Sequence, residues 1–380
     1  MTDERTPLKV LVNALALRLG GGGTYIVEQL TELSRIPTLA VTAYASPEVA
    51  SRLRLACSPS TRVYAVSSRG LAARLLHEQV VLAVRARDHD VVYQAGGFAM
   101  FASPRPQAVT SHNAHQFGSR AREFCRERYP LSRRIRVAIQ RQLAAASVRR
   151  AEAFITISHA FTDTVEEDMG HRENVHMIAS APPRLPPPKF TSAGDLGGDA
   201  FVLAVANDYR HKDWDVLIQA FLEHRDIPPL VLAGGIRSKR RAASLQARLD
   251  GEQRRVVLLG PVADRAVLAG LFRRASVVVA HSHLETSPLT PGEALASGAR
   301  LVASDIPSHR EVTGEADVIY YDPRDVHALA DAVRQAAAMP AKGRPQPSGS
   351  GVRTWADNAS ELAEVLRSLV PDRCRPSSST

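Results

Sequence analysis

The opening of the chain limits its fold more than any other feature. The apolar run Leu8–Ala16 is followed at once by the glycines Gly20–Gly23, and Thr24–Leu33 then has the pattern of a helix. A strand, a glycine turn and a helix in this order open a doubly wound α/β domain. Similar alternation continues through the first half, which predicts a parallel sheet covered on both faces. Further strands are predicted at Leu39–Tyr44, Arg62–Val66, Val91–Gln94, Ala108–Ser111 and Ala153–Ile157, and helices at Leu71–Arg87 and Arg133–Arg150.

A segment rich in proline, glycine and small polar residues, 182–199, interrupts this alternation before it resumes. Such a composition is typical of an interdomain linker. We therefore predict a first domain over residues 1–181 and a second over 200–351. Apolar residues in 352–370 recur at helical spacing and predict a last helix, whereas 371–380 is predicted to be a disordered tail. In the second domain, strands are predicted at Phe201–Ala206, Leu230–Ala233, Val256–Leu259, Val277–Ala280 and Arg300–Ala303, and helices at Asp213–His224, Arg237–Asp250, Asp264–Arg274, Gly292–Ser297 and His327–Ala338.

Composition excludes several classes of protein. The chain has no apolar run of 18 residues, so no transmembrane helix is expected. Met1–Leu11 lacks the layout of a signal peptide. Three cysteines are too few for a disulfide framework or a metal site. These features together predict a cytoplasmic protein with reduced thiols.

The charge is +9, which favours anionic partners such as nucleotide phosphates. No nucleic-acid-binding motif is present, so no nucleic acid partner is expected. Arginine is dense in Arg120–Arg150, with Ile135, Ile139 and Leu143 at helical spacing. Two interpretations remain open: peripheral contact with an anionic membrane, or a solvated basic face whose apolar side packs on the core.

Four features carry the candidate chemistry. Gly20–Gly23 let the backbone approach an anion at a helix start, but the spacing is not G-x-G-x-x-G, so a dinucleotide cofactor is not indicated. Lys212 lies between a strand and a helix, where a cation can neutralise a diphosphate. Glu285 and Glu293 flank a strand-to-helix loop and can accept hydrogen bonds from sugar hydroxyls. His112 follows a strand, at the end of a parallel sheet where ligands bind.

At these residues the chain resembles the retaining glycosyltransferases of family 4, which have the GT-B fold. The family motif is a glutamate, seven residues and a second glutamate before a helix of small residues. The segment from Glu285 to Glu293 reads ETSPLTPGE and is followed by ALASG. Further matches are RHK at Arg210–Lys212, LAGG at Leu232–Gly235, LGP at Leu259–Pro261, HREV at His309–Val312, YDP at Tyr321–Pro323 and, more loosely, Gly20–Tyr25, His112 and Ile155–Ser158.

The resemblance implies two Rossmann-like α/β domains facing each other across a cleft, with the last helix crossing back to the first domain. It implies that Glu293 holds the ribose of a nucleotide sugar, that Glu285 contacts the transferred sugar, and that Lys212 binds the diphosphate. It also places His112 near the reacting sugar. The other residues that it implies on the donor side are Asn207, Arg210, Gly234, Thr286, Ser287, Pro288 and Leu289, and those opposite the donor are Gly21, Gly22 and Gly23.

Two positions depart from the family pattern. Pro288 lacks the N–H group that a glycine would offer to phosphate, and Thr286 and Ser287 hydroxyls are the expected substitutes. Asn207 occupies a position where an arginine is frequent. No metal site is expected, since the D-x-D triplet Asp88–Asp90 precedes a strand, and His281 and His283 alone are an incomplete ligand set.

The sequence thus predicts a hexosyltransferase that uses a nucleotide sugar, UDP- or GDP-linked, as co-substrate and no other cofactor. Bacterial polysaccharide or secondary-metabolite biosynthesis is the expected setting, with a small molecule or glycan as acceptor. Three alternatives remain open: a membrane lipid-linked acceptor, a sugar phosphorylase of the same fold, and a non-catalytic nucleotide-binding protein.

Overall fold

The computed structural model describes residues 6–17, 20–67, 70–182, 184–190, 200–339 and 353–370. The chain divides into two compact domains. The first domain comprises Met1–Ala181 with Arg353–Thr380, and the second domain comprises Pro182–Val352. The predicted tail 371–380 and residues 183 and 191–199 of the predicted linker lie outside the described residues.

The first domain is built on a seven-stranded parallel sheet in the order β3-β2-β1-β4-β5-β6-β7. Its strands are β1 (Leu8–Ala14), β2 (Leu39–Ala45), β3 (Arg62–Ala65), β4 (Val91–Gln94), β5 (Gln107–Thr110), β6 (Ala153–Thr156) and β7 (Val175–Met177). Its helices are α1 (Gly21–Leu33), α2 (Pro47–Ala56), α3 (Leu71–Leu76), α4 (Leu82–Ala86), α5 (Ser119–Arg128), α6 (Leu131–Arg150) and α7 (His159–Met169), with a π-helical turn, His77–Val81, joining α3 to α4.

The second domain is built on a six-stranded parallel sheet in the order β10-β9-β8-β11-β12-β13. Its strands are β8 (Val202–Val205), β9 (Leu230–Ala233), β10 (Val256–Gly260), β11 (Val277–Ala280), β12 (Leu301–Ser304) and β13 (Val318–Tyr321). Its helices are α8 (Trp214–Glu223), α9 (Lys239–Arg248), α10 (Arg265–Arg274), α11 (Leu289–Ala296), α12 (Pro307–Thr313) and α13 (Val326–Ala338), with a 3-10 turn at Arg210–Lys212.

Both sheets have apolar side chains on both faces, as the unbroken apolar runs predict. The strands β4, β5 and β6 are buried along their whole length, and so are β9, β11 and β12. The prediction of α/β domains with parallel sheets is therefore confirmed. Six elements were not predicted: α2, α5, α7, α12, β7 and β13.

The last helix, α14 (Trp355–Ser368), begins at a capping box in which Thr354 and Asp357 satisfy each other's backbone N–H groups. It packs against α1, and its buried face includes Trp355, Leu362 and Leu366. The chain therefore returns to the first domain after completing the second, as the resemblance implied.

Helix α6 corrects one expectation in part. A core-facing apolar side formed by Ile135, Ile139 and Leu143 was one interpretation of its arginine-rich sequence. Leu143 does pack against the core, but Ile135 and Ile139 are exposed over 54% and 56% of their area, and Leu131 is exposed over 68%. The residues that α6 buries are Val137, Ala144, Ser147 and Val148. The exposed side chains recur every four residues and so form one stripe on the helix surface.

Among the described residues, no helix combines the length and apolar composition that crossing a bilayer requires. Cys57 and Cys125 carry free thiols, and Cys374 lies outside the described residues.

Candidate functional site

In the second domain, the candidate residues gather at the carboxyl ends of β8 and β11. These strands are neighbours, and the chain leaves them in opposite directions, β8 leading to β9 and β11 to β12. Such a reversal leaves a crevice between the two loops, which is where open α/β sheets bind ligands. The loop after β8 carries Asn207–Lys212, and the loop after β11 carries Glu285–Pro288.

An ion pair between Lys212 and Glu285 joins these two loops. Only 17% and 14% of the two side chains' areas are exposed. Burial alone would raise the pKa of Glu285, but the charges of Lys212 and His211 outweigh it and lower the pKa to about 2. Glu285 is therefore ionised at any physiological pH. The structure brings Lys212 and Glu285 into contact, and their predicted roles in donor binding remain predictions.

Hydrogen bonds to a backbone carbonyl also join the two loops. The His283 amide donates to the carbonyl of His211 at 2.8 Å, and the Ser282 hydroxyl donates to the same oxygen at 3.1 Å. The imidazole of His283 lies 3.0 Å from the Asp213 carboxylate. Asp213 has a φ of 29°, the one positive value outside glycine among the described residues. A strained backbone conformation of this kind persists only where surrounding contacts enforce it. The strained residue, Asp213, directly follows Lys212 in the chain.

Asn207 and Gly234 stabilise the backbone at the ends of β8 and β9. The Asn207 side-chain oxygen accepts from the Gly235 amide at 2.8 Å. A Cβ atom at Gly234 would lie 1.8 Å from the carbonyl oxygen of Ala206, so only glycine lets the ends of β8 and β9 come this close. The donor-side roles predicted for both residues remain predictions.

The segment Thr286–Leu289 leads into α11, which begins at Leu289 and has Pro288 as its N-cap. The sequence predicted a helix only from Gly292, so the helix starts three residues earlier than expected. Proline fits a helix start because an N–H group there needs no helical partner. Thr286 is buried and Ser287 partly buried, directly before the positive end of the helix dipole.

Glu293 lies on α11 with its carboxylate 2.8 Å from Nη1 of Arg265. The residue is 4% exposed. Burial raises the pKa of Glu293, while the Arg265 charge and hydrogen bond oppose this. The glutamate is thus held in one orientation by α10, and its predicted contact with ribose remains a prediction.

Two residues of this region were not predicted. Asp208 is buried, and its carboxylate forms ion pairs with Arg241 at 3.3 Å and with Arg237 at 3.5 Å. The pair with Arg241 connects the loop after β8 to α9. His309 is buried on α12, and its pKa is lowered to about 4, chiefly by burial, with Glu285 opposing the shift and Lys212 adding to it. His309 was matched only as part of the HREV segment, and the sequence assigned a role to neither residue. Arg210, a predicted diphosphate ligand, is exposed beside Lys212.

In the first domain, the predicted glycines lie in the first turn of α1 and not in a loop before it. Helix α1 begins at Gly21, where the sequence predicted Thr24, because Gly20 makes the turn with a φ of 102°. A Cβ atom at Gly22 would approach Leu17 to 3.1 Å, and one at Gly96, after β4, would approach it to 2.6 Å. Glycines thus line the ends of the neighbouring strands β1 and β4, the point of reversal in this sheet.

His112 follows β5 and packs edge-on against Tyr25 of α1, with ring centroids 4.5 Å apart. Tyr25 in turn meets Trp355 of α14 at 5.0 Å. Burial lowers the pKa of His112 to about 4, against a hydrogen bond with the backbone of Ala95 that raises it. The imidazole is therefore uncharged at neutral pH.

A buried hydrogen-bond network lies beneath His112. Gln29 donates to the hydroxyl of Tyr25 at 3.0 Å and to Asn358 of α14 at 2.8 Å, and it accepts from Tyr93 at 2.9 Å. Tyr93 also meets Thr110, the last residue of β5, at 3.0 Å. The last helix is therefore bonded, through Gln29, to the strand that precedes His112.

A further buried group was not predicted from the sequence. Glu78 is 1% exposed, lies in the π-helical turn, and has Arg74 as its ionic partner at 3.3 Å. Burial raises the pKa of Glu78, against Arg74 and a hydrogen bond with Asn13. Turns of this kind frequently mark functional sites.

The residues considered for a metal have other partners. Asp90 accepts from the backbone amide of Lys9, and His89 contacts the carbonyl of Arg85, both at the amino-terminal end of β4. His281 contacts the Tyr321 hydroxyl at 2.7 Å. The arrangement at Lys212 and Glu285 is instead suited to an anionic ligand that carries hydroxyl groups.

Comparison with known proteins agrees with this geometry. Residues 200–338 match the family described as glycosyl transferases group 1. No curated protein matches the sequence significantly. Among solved structures, sucrose-phosphate synthase from Thermosynechococcus elongatus is 18% identical, covering 96% of this chain and 97% of its own, with a TM-score of 0.68. HepE of Anabaena, solved with UDP and glucose, is 18% identical with 97% of each chain covered and a TM-score of 0.66. WaaG, a glycosyltransferase involved in lipopolysaccharide biosynthesis, is 14% identical, with 98% and 100% covered and a TM-score of 0.61.

The fold is that of the GT-B glycosyltransferases. The match to the glycosyl transferases group 1 family, over residues 200–338, lies within the second domain.

Proposed function

We propose that the protein transfers a hexose-type sugar, with retention of anomeric configuration, from a UDP- or GDP-linked donor to an acceptor hydroxyl. The observation that carries the proposal is the partly buried ion pair of Lys212 and Glu285 in a domain that matches the group 1 family. A UDP-linked donor is further supported by HepE, whose structures contain UDP and UDP-glucose. Bacterial polysaccharide or secondary-metabolite synthesis in the cytoplasm is the proposed setting.

In the proposed reaction, the bond between the anomeric carbon and the diphosphate oxygen breaks, and negative charge develops on the diphosphate. Lys212 and Arg210 face this charge, and the positive end of α11 adds to their effect. Thr286 and Ser287 hydroxyls donate in place of the N–H group that Pro288 lacks. The acceptor oxygen bonds to the anomeric carbon on the face that the diphosphate leaves, and its proton passes to a diphosphate oxygen.

The remaining residues position the reactants in this proposal. Glu285, ionised and fixed by Lys212, accepts hydrogen bonds from hydroxyls of the transferred sugar. Glu293 accepts from ribose hydroxyls, while Asn207 and Gly234 shape the loop that covers the nucleotide. His112, neutral at physiological pH, hydrogen-bonds the reacting sugar, and Gly21–Gly23 contact the acceptor through their backbone.

The test is mass-spectrometric. Purified protein is incubated with UDP-, GDP-, dTDP- and ADP-sugars, and slow release of free nucleotide is followed. We expect release from one donor and its loss in Glu293→Ala. Cleavage of a glycoside only when inorganic phosphate is supplied would identify a phosphorylase instead, and nucleotide binding without turnover on any donor and acceptor mixture would contradict catalysis.

A membrane lipid-linked acceptor is a second candidate, favoured by the surface of α6. The stripe Leu131, Ile135 and Ile139 is exposed, and Arg133, Arg134 and Arg136 lie exposed between its members. Apolar side chains flanked by arginine suit the interface of an anionic bilayer, where the former bury and the latter meet phosphate. Peripheral contact through Arg120–Arg150 would bring the first domain to its acceptor.

Vesicle sedimentation tests this second candidate. Ile135→Glu/Ile139→Glu is compared with wild type on vesicles that contain an anionic lipid or only zwitterionic lipid. Leu55→Glu is the matched control, because Leu55 is an exposed leucine on another helix, α2. We expect binding to anionic vesicles, lost in the α6 variant and kept in the control. Equal sedimentation of all three proteins would contradict a membrane role for α6.

A further inference from the structure

The second domain holds a group of metal-ligating side chains away from the proposed catalytic residues. Glu223 and His224 end α8, and His327 lies in the first turn of α13. One ligand atom from each of the three residues can be chosen so that all lie within 4.8 Å of one another. Within the described part of the chain, this is the one group of three histidine, cysteine or carboxylate side chains that comes so close.

The two imidazoles have the geometry of a metal-binding pair. Nε2 of His224 lies 3.0 Å from Nδ1 of His327, and the rings meet edge-on at 89°. Zinc bonds to imidazole nitrogen at about 2.0–2.1 Å, so a tetrahedral ion places two such nitrogens about 3.3 Å apart. The rings need only a small separation to admit an ion, and Glu223 is an exposed side chain that already has a carboxylate oxygen within 4.8 Å of both ring nitrogens.

The backbone at both histidines is already fixed. Arg255 donates to the carbonyls of Phe221, His224 and Ile227 at 3.1, 2.9 and 2.8 Å, which holds the end of α8 in place. The Asp325 side chain accepts from the His327 amide at 2.9 Å as the N-cap of α13. Ligands held in place before metal arrives lose little conformational freedom on binding.

The surroundings also suit a cation. Gln219 donates to Glu223 at 2.9 Å, the kind of outer hydrogen bond that orients a metal-binding carboxylate. The nearby arginines are neutralised, Arg225 by Glu252 and Arg334 by Asp226 and Asp331. Two imidazoles and one carboxylate are a ligand set that zinc accepts, with water in the fourth position.

We propose that Glu223, His224 and His327 bind one divalent transition-metal ion of the Zn²⁺ class, which clips α8 to α13 on the same face of the second sheet. The ion stabilises the second domain and takes no part in sugar transfer. This inference is independent of the proposed function, because none of the three residues belongs to the proposed catalytic or donor-binding set.

Calorimetric titration of the full chain without a histidine tag tests the proposal, with Zn²⁺ and Mg²⁺ as probes. We expect one Zn²⁺ per chain, no binding of Mg²⁺, and Zn²⁺ affinity weakened about tenfold or more in His224→Ala and in His327→Ala. His171→Ala is the matched control, since His171 is also exposed and meets one carboxylate, Glu166, at 2.8 Å.

Two further measurements separate metal binding from misfolding. Co²⁺ in place of Zn²⁺ should give the visible absorption of a tetrahedral site in wild type and in His171→Ala, and not in His224→Ala/His327→Ala. Zn²⁺ should raise the melting temperature of wild type, whereas the double variant should melt like metal-free wild type whether or not Zn²⁺ is present. Equal Zn²⁺ affinity in wild type and double variant would overturn the proposal.

Discussion

The two domains use the same sheet reversal but place different chemistry there. The second domain presents buried charge, with Lys212 and Glu285 joined across the ends of β8 and β11. The first domain presents an uncharged imidazole, His112, supported by aromatic rings and neutral hydrogen bonds, and glycines at the ends of β1 and β4. The same fold thus places an ion pair at one sheet reversal and an uncharged imidazole at the other.

The sharpest test of this contrast is Lys212→Ala. It removes the cation that we propose faces the departing diphosphate, and it leaves the partly buried Glu285 without its ion-pair partner. We expect kcat to fall about 10³-fold, the scale for loss of one group that stabilises developing charge. His112→Asn, which keeps a neutral hydrogen-bonding side chain, should cost far less. Steady-state kinetics with the identified donor provide the measurement.

Unfolding measurements are the control for that variant. Breaking a buried ion pair from one side costs about 3–5 kcal/mol, and removing both partners costs less. Lys212→Ala/Glu285→Ala should therefore be more stable than Lys212→Ala and remain inactive. Restored activity in the double variant would show that the pair is structural and that the charge contrast between the domains is not functional.

Gly234→Ala tests whether the second domain also depends on a close backbone approach. The added Cβ would lie 1.8 Å from the Ala206 carbonyl oxygen, so the ends of β8 and β9 must separate. We expect the free energy of unfolding to fall by about 3 kcal/mol, as for severe overpacking. Gly235→Ala is the control, because its nearest atom, at 3.3 Å, belongs to the Asn207 side chain, which can move. Equal stability of the two variants in urea would contradict the close approach.

The sequence predicted the candidate residues of the second domain, but not the contacts that hold them in place. The site in the second domain could be predicted because Lys212, Glu285 and Glu293 lie in short motifs next to strong strand patterns. The partners that fix them, His283, Arg265 and Asp208, could not, since they come from other elements and depend on tertiary packing. Helix starts at Gly21 and Leu289 were missed because glycine and proline usually mark turns, and here they occupy first helical turns.

The contrast should also appear in acid. Burial lowers the pKa of His281 to about 3 and that of His309 and His112 to about 4, against about 6.5 in the unfolded chain. Stability from each is complete above pH 6.5 and falls as pH drops toward its pKa in the folded state, about 4 for His309 and His112 and about 3 for His281; at pH 5 the loss is about 2 kcal/mol per histidine. Glu285, with its pKa lowered to about 2, loses its contribution only below about pH 4.5.

Two of these histidines lie in the second domain and one in the first, so the second domain should lose more stability on acidification. The two tryptophans report each domain separately, Trp214 on α8 and Trp355 on α14, and both are buried. Urea unfolding of Trp355→Phe and Trp214→Phe at pH 7 and pH 5 gives the comparison. Trp355, the probe that remains in Trp214→Phe, reports the first domain. A larger loss of stability at pH 5 reported by Trp355 than by Trp214 would contradict the assignment of buried histidines to the two domains.

The smallest expected effect concerns the neutral network of the first domain. Asn358→Ala removes the acceptor of Gln29 and leaves the buried amide one hydrogen bond short, which costs about 1–3 kcal/mol of stability. If the network positions His112, kcat should fall a few-fold with KM for the donor unchanged, because the proposed donor-binding residues lie in the second domain. Asn358→Asp keeps an acceptor and should recover kcat before stability. Arg367→Ala is the control on the same helix, since its exposed bond to Thr38 at 2.6 Å is remote from His112. Unchanged kcat in Asn358→Ala would show that the network only stabilises the packing of α14 on α1. The proposed catalytic role of the first domain would then depend on His112 without this network.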